Sequence, residues 1–394
     1  MLEALTVLTS IAIVLLAGLI ATILAKKLRI SNVLLLIILG MTLKSVKYQQ
    51  KTVFEFSPTF LISISILALV MIIFDGTSRF KLKELNLLSD DSAKIVWWFL
   101  ITNTIIVTTA TVFLFYNNIT FQNVLLSLIF AVIMTGTDPA AIFSLMKEKS
   151  SKIIKVLEIE SIFNTPIIVI IPFILMQLLT DEVVLIDSLI EQLIPFLKQI
   201  VIGIGSGILI GIIIFKAMKN YYDDKLSHLG IIIAALLSYI LAENLGGNGV
   251  LSVATMGLFF GSIYLKQKIQ LLKFSSILSN SLQILVFILV GFLVNIDFTT
   301  SFFIKSIILF SILLLSRKIA VSKALKDYNK KEKWFMTLNF PKGIAVATVV
   351  FSLSMKEIVG MKIIIDLILM FMIYSLSLST IVEHYSDKFI KEKV

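Results

Sequence analysis

Thr135-Gly136-Thr137-Asp138-Pro139-Ala140-Ala141 lies inside an apolar run, 120–146, that is long enough to cross a bilayer. Proline removes a backbone donor and disfavours helix at the residue before it, so the helix is expected to break at Asp138. A carboxylate placed there can bind freed amides or the positive end of an incoming helix. Irregular backbone at membrane depth is tolerated where it lines protein or an aqueous cavity. A glycine and two threonines around the aspartate exceed what a bare proline kink requires. A second interruption, Asn339-Phe340-Pro341-Lys342-Gly343, opens the apolar run 334–355 in the other half of the chain. Interruptions in corresponding halves point to a secondary transporter built from inverted repeats, with its ion site where the broken helices lie.

The rest of the sequence fits a membrane setting. Of 394 residues, 58% are hydrophobic and only 15% charged, whereas soluble domains carry about 25% charged residues. A soluble enzyme, a disordered chain and a disulfide-stapled domain are excluded. The absence of cysteine removes thiolate catalysis and thiolate metal sites. A spanning helix needs roughly 20 mostly apolar residues. Such runs fall at 5–25, 31–46, 57–77, 95–116, 120–146, 153–180, 193–215, 227–244, 249–265, 274–296, 302–322, 334–355 and 361–382. The expected fold class is therefore an all-α polytopic membrane protein with about 13 transmembrane helices. The second and ninth runs are the shortest.

Thirteen spans sort the connecting loops into two sets. One set, from Lys26, Lys27 and Arg29 through to Lys388, Lys391 and Lys393, holds 25 of the 35 Lys and Arg residues. The other set includes 180–192, which is acidic and has no basic residue. The positive-inside bias then predicts an N-terminus outside and a C-terminus in the cytoplasm. The net charge of +10 is a topology signal, and no nucleic-acid partner is expected. The first span has its basic cluster after the apolar run, the wrong polarity for a cleaved signal, and is expected to remain as a helix. No hydrophilic stretch between spans is long enough for a soluble domain, so any chemistry belongs in the bilayer or at its rim.

Ionisable groups within a span cost several kcal/mol unless paired or hydrated. Here they are Asp75, Asp138, Glu158, Glu160, Arg317, Lys318 and Lys342, with Glu243 near a helix end. In Glu160-Ser161-Ile162-Phe163-Asn164-Thr165-Pro166, Glu160 and Asn164 share one helix face, as do Ser161 and Thr165. The hydroxyls alone could serve as helix–helix glue, but Glu160 needs a cation, and Arg317 is the best candidate. Asp75, in Phe74-Asp75-Gly76-Thr77-Ser78-Arg79, could be an interfacial carboxylate paired with Arg79.

Taken together, these residues resemble the monovalent cation/proton antiporters of the sodium/proton exchanger type, in particular their NhaP-like branch. Thr137-Asp138-Pro139 resembles the family's Thr-Asp-Pro motif, and Glu160 to Thr165 its Glu-Ser-x-x-Asn-Asp signature. Arg317 matches the arginine that pairs with the signature glutamate, and Pro341-Lys342-Gly343 resembles a Gly-Pro-Arg-Gly stretch with lysine for arginine. The resemblance implies crossed broken helices 5 and 12. It implies a core transport domain of 94–180 and 301–385, and a dimer domain of 1–78 and 193–296. It further implies a homodimer in a prokaryotic plasma membrane that exchanges Na⁺, or another monovalent cation, for protons by alternating access, without a cofactor. The implied ion-binding residues are Asp75, Thr137, Asp138, Ser161, Asn164 and Thr165. Asp75, Thr137, Ser161 and Thr165 would ligate the transported Na⁺. Glu160 and Arg317 form a structural pair, and Pro139 and Lys342 shape the broken-helix pathway.

Thr165 stands where the family has an aspartate that holds either the cation or a proton. A hydroxyl can ligate but cannot titrate. Either Asp75 supplies the titrating carboxylate, facing the core across the ion pathway, or coupling is lost and the chain is an uncoupled carrier or a non-transporting homologue. An enzyme is not expected. The histidines His228 and His384 are far apart, no Gly-x-Gly-Asp element accompanies Asp75 or Asp138, and no phosphate-binding loop is present.

Overall fold

The computed structural model describes residues 2–28, 30–48, 51–52, 56–79, 82–116, 118–138, 152–180, 188–220, 223–264, 267–293, 299–354, 358–386 and 389. Along them run helices α1 (Leu2–Leu28), α2 (Asn32–Ser45), α3 (Pro58–Ser78), α4 (Leu82–Phe115), α5 (Phe121–Ile133), α6 (Lys152–Thr180) and α7 (Ser188–Asn220). They continue as α8 (Asp224–Asn244), α9 (Gly249–Ser262), α10 (Lys268–Leu293), α11 (Thr300–Ala324), α12 (Lys330–Leu338), α13 (Ile344–Ser354) and α14 (Met361–His384). A two-residue hairpin of β1 (Lys47–Tyr48) and β2 (Lys51–Thr52), which the apolar pattern does not foretell, joins α2 to α3.

Every expected span contains helix among the described residues, with the fifth interrupted over 134–138 and the twelfth over 339–343. Seven described helices are long and apolar enough to cross a membrane, and Asn32–Ser45, Phe121–Ile133 and Gly249–Ser262 are shorter apolar helices. The second and ninth spans are 14-residue helices, about 21 Å at 1.5 Å per residue, short of the roughly 30 Å hydrocarbon core. The fourth span is longer than its apolar run, because α4 continues as helix back to Leu82.

Helix starts follow local chemistry. Ser31, Thr120, Asn248 and Thr299 each accept a backbone N–H of the following first turn. Pro58 opens α3, where its missing donor costs nothing. Asn329 and Glu332 form a reciprocal capping box at α12.

Two compact units emerge. Unit 1 comprises Met1–Ser63, Ser89–Pro172 and Ile284–Val394. Within it α2 and α10 approach backbone to backbone: a Cβ on Gly40 would strike the Ile288 carbonyl, and one on Gly291 would strike that of Ile37. Phe310, Phe371 and Tyr374 form an aromatic cluster with ring centroids 5.3 to 6.1 Å apart. Where polar residues gather near the start of α6, the Tyr328 hydroxyl bonds Asp91 at 2.8 Å, and the Lys152 ammonium is raised above its usual range mainly by its hydrogen bond to Tyr328.

Unit 2 comprises Ile64–Leu88 and Phe173–Gln283. Its centre is the packing of α7, α8 and α9. Gly203, Gly207 and Gly211 line one face of α7, and a Cβ on each would meet Asn248, Ser252 or Phe259 of the α9 segment. Ser238 of α8 and Ser252 of α9 share a hydroxyl hydrogen bond of 2.7 Å. Phe74, Phe215 and Phe260 meet edge to face, with centroids 5.1 to 5.3 Å apart.

Candidate functional site

Both interruptions break their helices. The fifth helix stops at Ile133, and the N–H groups of Thr135 and Gly136 turn back to the carbonyls of Val132 and Ile133 before the chain extends to Asp138. The twelfth stops at Leu338 and resumes at Ile344. Pro139 and the remainder of the fifth span to Ser151 lie outside the described residues.

The two broken segments meet and supply each other's missing partners. Asp138 N–H donates to the Pro341 carbonyl at 2.9 Å. The Lys342 ammonium donates to the carbonyls of Met134 and Gly136 at 2.6 and 2.7 Å, both stranded by the end of α5. Lys342 is fully buried, its Nζ also lies 4.6 Å from the Phe340 ring centroid, and its N–H donates to Ser375 of α14. A positive charge on helix-terminal carbonyls is the favourable sense of the helix dipole. Gly343 is required because a Cβ there would overlap the Asp138 carboxyl. The aspartate is 4% exposed.

The signature residues of α6 line the same place. Asn164 donates through Nδ2 to Thr137 Oγ1 at 2.9 Å and to the Thr135 carbonyl at 3.2 Å, which ties α6 to the first broken segment. One turn earlier, Glu160 and Arg317 are both fully buried and joined in a two-pronged pair, with Arg317 Nη2 donating to Glu160 Oε2 at 2.7 Å. Arg317 also donates to the Met336 carbonyl and lies 4.7 Å from the Phe99 ring centroid. The Thr165 hydroxyl donates to the Ser161 carbonyl at 2.7 Å, and Ser161 Oγ and Asn164 Oδ1 are buried acceptors with no hydrogen-bond partner. Oxygens of this kind suit a desolvated monovalent cation.

The structure thus gathers Thr137, Asp138, Glu160, Asn164, Arg317 and Lys342 in unit 1, with Ser161 and Thr165 next to Glu160 and Asn164 along α6. Asp75 belongs to unit 2. It pairs with Arg79 of its own helix at 2.8 Å, and Arg79 reaches Ser276 as well.

Sequence reasoning missed several members. Asn103 of α4 caps the end of α5 by donating to the Ala131 carbonyl at 2.6 Å. Asn339, Ser375 and Glu383 also face this region from α14 and the second break. Asn103 carried a usable signal, a lone amide amid an apolar run. Glu383 lies beyond the apolar window and reads as the start of a soluble tail.

Known proteins carry the same plan. The family described as sodium/hydrogen exchanger, transmembrane, matches residues 11–384. The chain belongs to this family. Among relatives, the K(+)/H(+) antiporter NhaP2 of Shewanella sp. (strain ANA-3) is 28% identical over 220 residues, covering 53% of this chain and 38% of that protein. The low-affinity Na(+)/H(+) antiporter NhaS1 of Synechocystis is 31% identical over 134 residues, 34% of this chain and 25% of that one. This exchanger-family chain thus spans less than two-fifths of the length of these curated relatives. In fold it is similar to the sodium proton antiporter MjNhaP1 from Methanocaldococcus jannaschii, with a TM-score of 0.80 over 98% of this chain and 97% of that one at 18% identity.

Proposed function

We propose that this chain exchanges a monovalent cation, Na⁺ or K⁺, for protons by alternating access. One observation carries the reading: two helix interruptions meet around Asp138 and Lys342 in a buried centre. Stranding backbone groups and charges away from water costs several kcal/mol each, and a passive scaffold has no use for it. Thr137, Asp138, Ser161, Asn164 and Thr165 are the cation's ligands on this reading. Glu160 and Arg317 stay paired and hold the ligand helix in register. The relatives' names divide between K⁺ and Na⁺, and hydroxyl and carboxylate oxygens serve both ions, selectivity lying in cavity geometry.

Thr165 cannot exchange a proton, so coupling falls to carboxyls elsewhere, with Asp75 as the proposed titrating group. The helices of 94–180 and 301–385 move as the transport core, and those of 1–78 and 193–296 carry the contact of a homodimer. The N-terminus lies outside and the C-terminus in the cytoplasm of a prokaryotic plasma membrane.

The test is proton flux in proteoliposomes holding a pH gradient, on addition of Na⁺, Li⁺ or K⁺. Cation-triggered proton movement that Asp75→Asn abolishes supports antiport with the third helix titrating. A second reading, an uncoupled carrier, is favoured by the Thr165 hydroxyl being engaged on Ser161. It prevails if the unmodified protein moves cations without protons and Thr165→Asp restores coupling.

A further inference from the structure

Beside the second break lies a polar group that the exchange site does not use. Glu383, in the last turn of α14, is 8% exposed, and neither carboxyl oxygen has a hydrogen-bond partner of good geometry. Its polar neighbour is Asn339, the residue that ends α12, itself fully buried with both amide atoms unsatisfied. Ser379, one turn before Glu383, is also buried, with its hydroxyl unpartnered. Ser375, one turn earlier again, accepts the Lys342 N–H. Residues four apart share a helix face, so Ser375, Ser379 and Glu383 form a polar stripe about 12 Å long at 1.5 Å per residue. It leads from Lys342 in the broken segment to the end of α14.

Among the described residues, no ion pair joins Glu383 to a charge on the elements packed against it. α14 packs on α2, α5, α11, α12 and α13. The sequences of α5 and α13 contain no ionisable residue. On α11, Arg317 is held by Glu160, Lys318 lies over Trp334 and Lys323 over Trp98. On α12, Glu332 caps Asn329 and Lys333 bonds the Lys326 carbonyl. Lys305 of α11 lies over Phe115, and neither Lys44 of α2 nor Lys342 of the break pairs with Glu383. On its own helix His384 stacks edge-on with Tyr385. An ionised carboxyl removed from water without a cation is far costlier than a neutral one.

We infer that Glu383 is a proton-carrying group of the transport cycle, which takes up and releases a proton beside the second break, with Asn339 as its neutral hydrogen-bonding partner. The proton moves between the Glu383 carboxyl and water at the α14 terminus on one side, and along the Ser379 and Ser375 hydroxyls towards the break on the other.

This inference rests on the antiport reading for its place in the cycle, but its chemistry is tested separately. Infrared difference spectra of the purified full-length protein, taken across a pH step, are recorded for the unmodified chain, for Glu383→Gln and for Glu383→Asp. Glutamine keeps the shape and hydrogen-bonding capacity but cannot titrate. The expected result is a protonated-carboxyl band that disappears in Glu383→Gln and shifts in Glu383→Asp. In proteoliposomes, Glu383→Gln should slow cation-driven proton flux roughly tenfold or more, as loss of a positioned acid–base group does, and flatten one limb of the pH–rate profile. Isotopic cation binding by the solubilised protein should stay within about twofold, well under the tenfold that 1.4 kcal/mol represents. A spectrum unchanged by Glu383→Gln overturns the inference whatever the transport assay shows. A wild-type rate and pH profile in Glu383→Gln overturns it as well. If the unmodified protein moves no protons, the antiport reading fails while the spectra still decide whether Glu383 titrates.

Discussion

In the unit that contains both interruptions, the buried polar interior includes ionisable side chains: Asp138, Glu160, Arg317, Lys342, Asp366 and Glu383. In the other unit the buried polar residues are neutral, among them Thr77, Ser206, Ser238, Asn248, Ser252 and Ser279, and close helix contacts rest on glycine. Among the described residues, every buried Asp, Glu, Lys or Arg lies in the first unit. A small hydroxyl satisfies itself on a helix carbonyl, as Ser279 does on that of Met71 at 2.8 Å, and costs little. A buried charge needs a matched partner, as Glu160 finds in Arg317, or it must give up its charge. The contrast separates a unit with a buried ionisable centre from one built on close packing.

The largest expected effect comes from removing one charge of the buried pair. Arg317→Met would leave Glu160 ionised in a fully buried site, which costs about 3–5 kcal/mol. Thermal unfolding of the purified variant in detergent should show a large loss of stability or no folded fraction. The double variant Glu160→Leu with Arg317→Met should recover most of it, because apolar replacement of a whole buried pair is often neutral. A single variant as stable as the parent would mean that the pair is not what anchors α6 to α11.

The second unit should break through volume instead of charge. A Cβ at Gly207 would overlap the Ser252 carbonyl, whereas one at Gly205 meets nothing within 4 Å. Gly207→Ala should therefore destabilise by about 1–3 kcal/mol through overpacking of α7 against α9. Gly205→Ala should be neutral or stabilising by up to about 1 kcal/mol, since glycine is the poorer helix former. Unfolding midpoints of the two variants, measured side by side, check this. Equal midpoints would show that α7 and α9 can separate without cost.

Most of this contrast could be read in advance, but unevenly. Apolar run length alone placed the spans, because the bilayer sets the length of anything that crosses it. The breaks at Asp138 and Pro341 were legible because proline and glycine act on their own backbone. The pairing of Glu160 with Arg317 was legible because a charge in lipid must find a partner and few were available. What sequence could not give was which carbonyls Lys342 would take, since that depends on how the two broken segments cross. Glu383 was hidden for a related reason: its burial comes from the break packed beside it, not from the run it follows. The glycine spacing of α7 was visible, but its partner face on α9 was not.

The smallest effect should come from the ion pair that looks most like Glu160–Arg317 on paper. Arg79 and Asp75 are also joined at 2.8 Å, but the arginine side chain is 50% exposed and the two residues are four apart on one helix. Exposed pairs of this kind contribute about 0–1 kcal/mol, because water already solvates the cation and the pairing costs side-chain entropy. Arg79→Ala should shift the unfolding midpoint little, and far less than Arg317→Met. Asp75 would then lose the counter-charge that favours its ionised form. If Asp75 titrates in the exchange cycle, Arg79→Ala should move the pH dependence of cation-driven proton flux towards higher pH while stability stays nearly constant. An unmoved pH profile would leave Asp75 as an ordinary helix-end carboxylate and return the coupling question to Asp138 and Glu383 in the first unit.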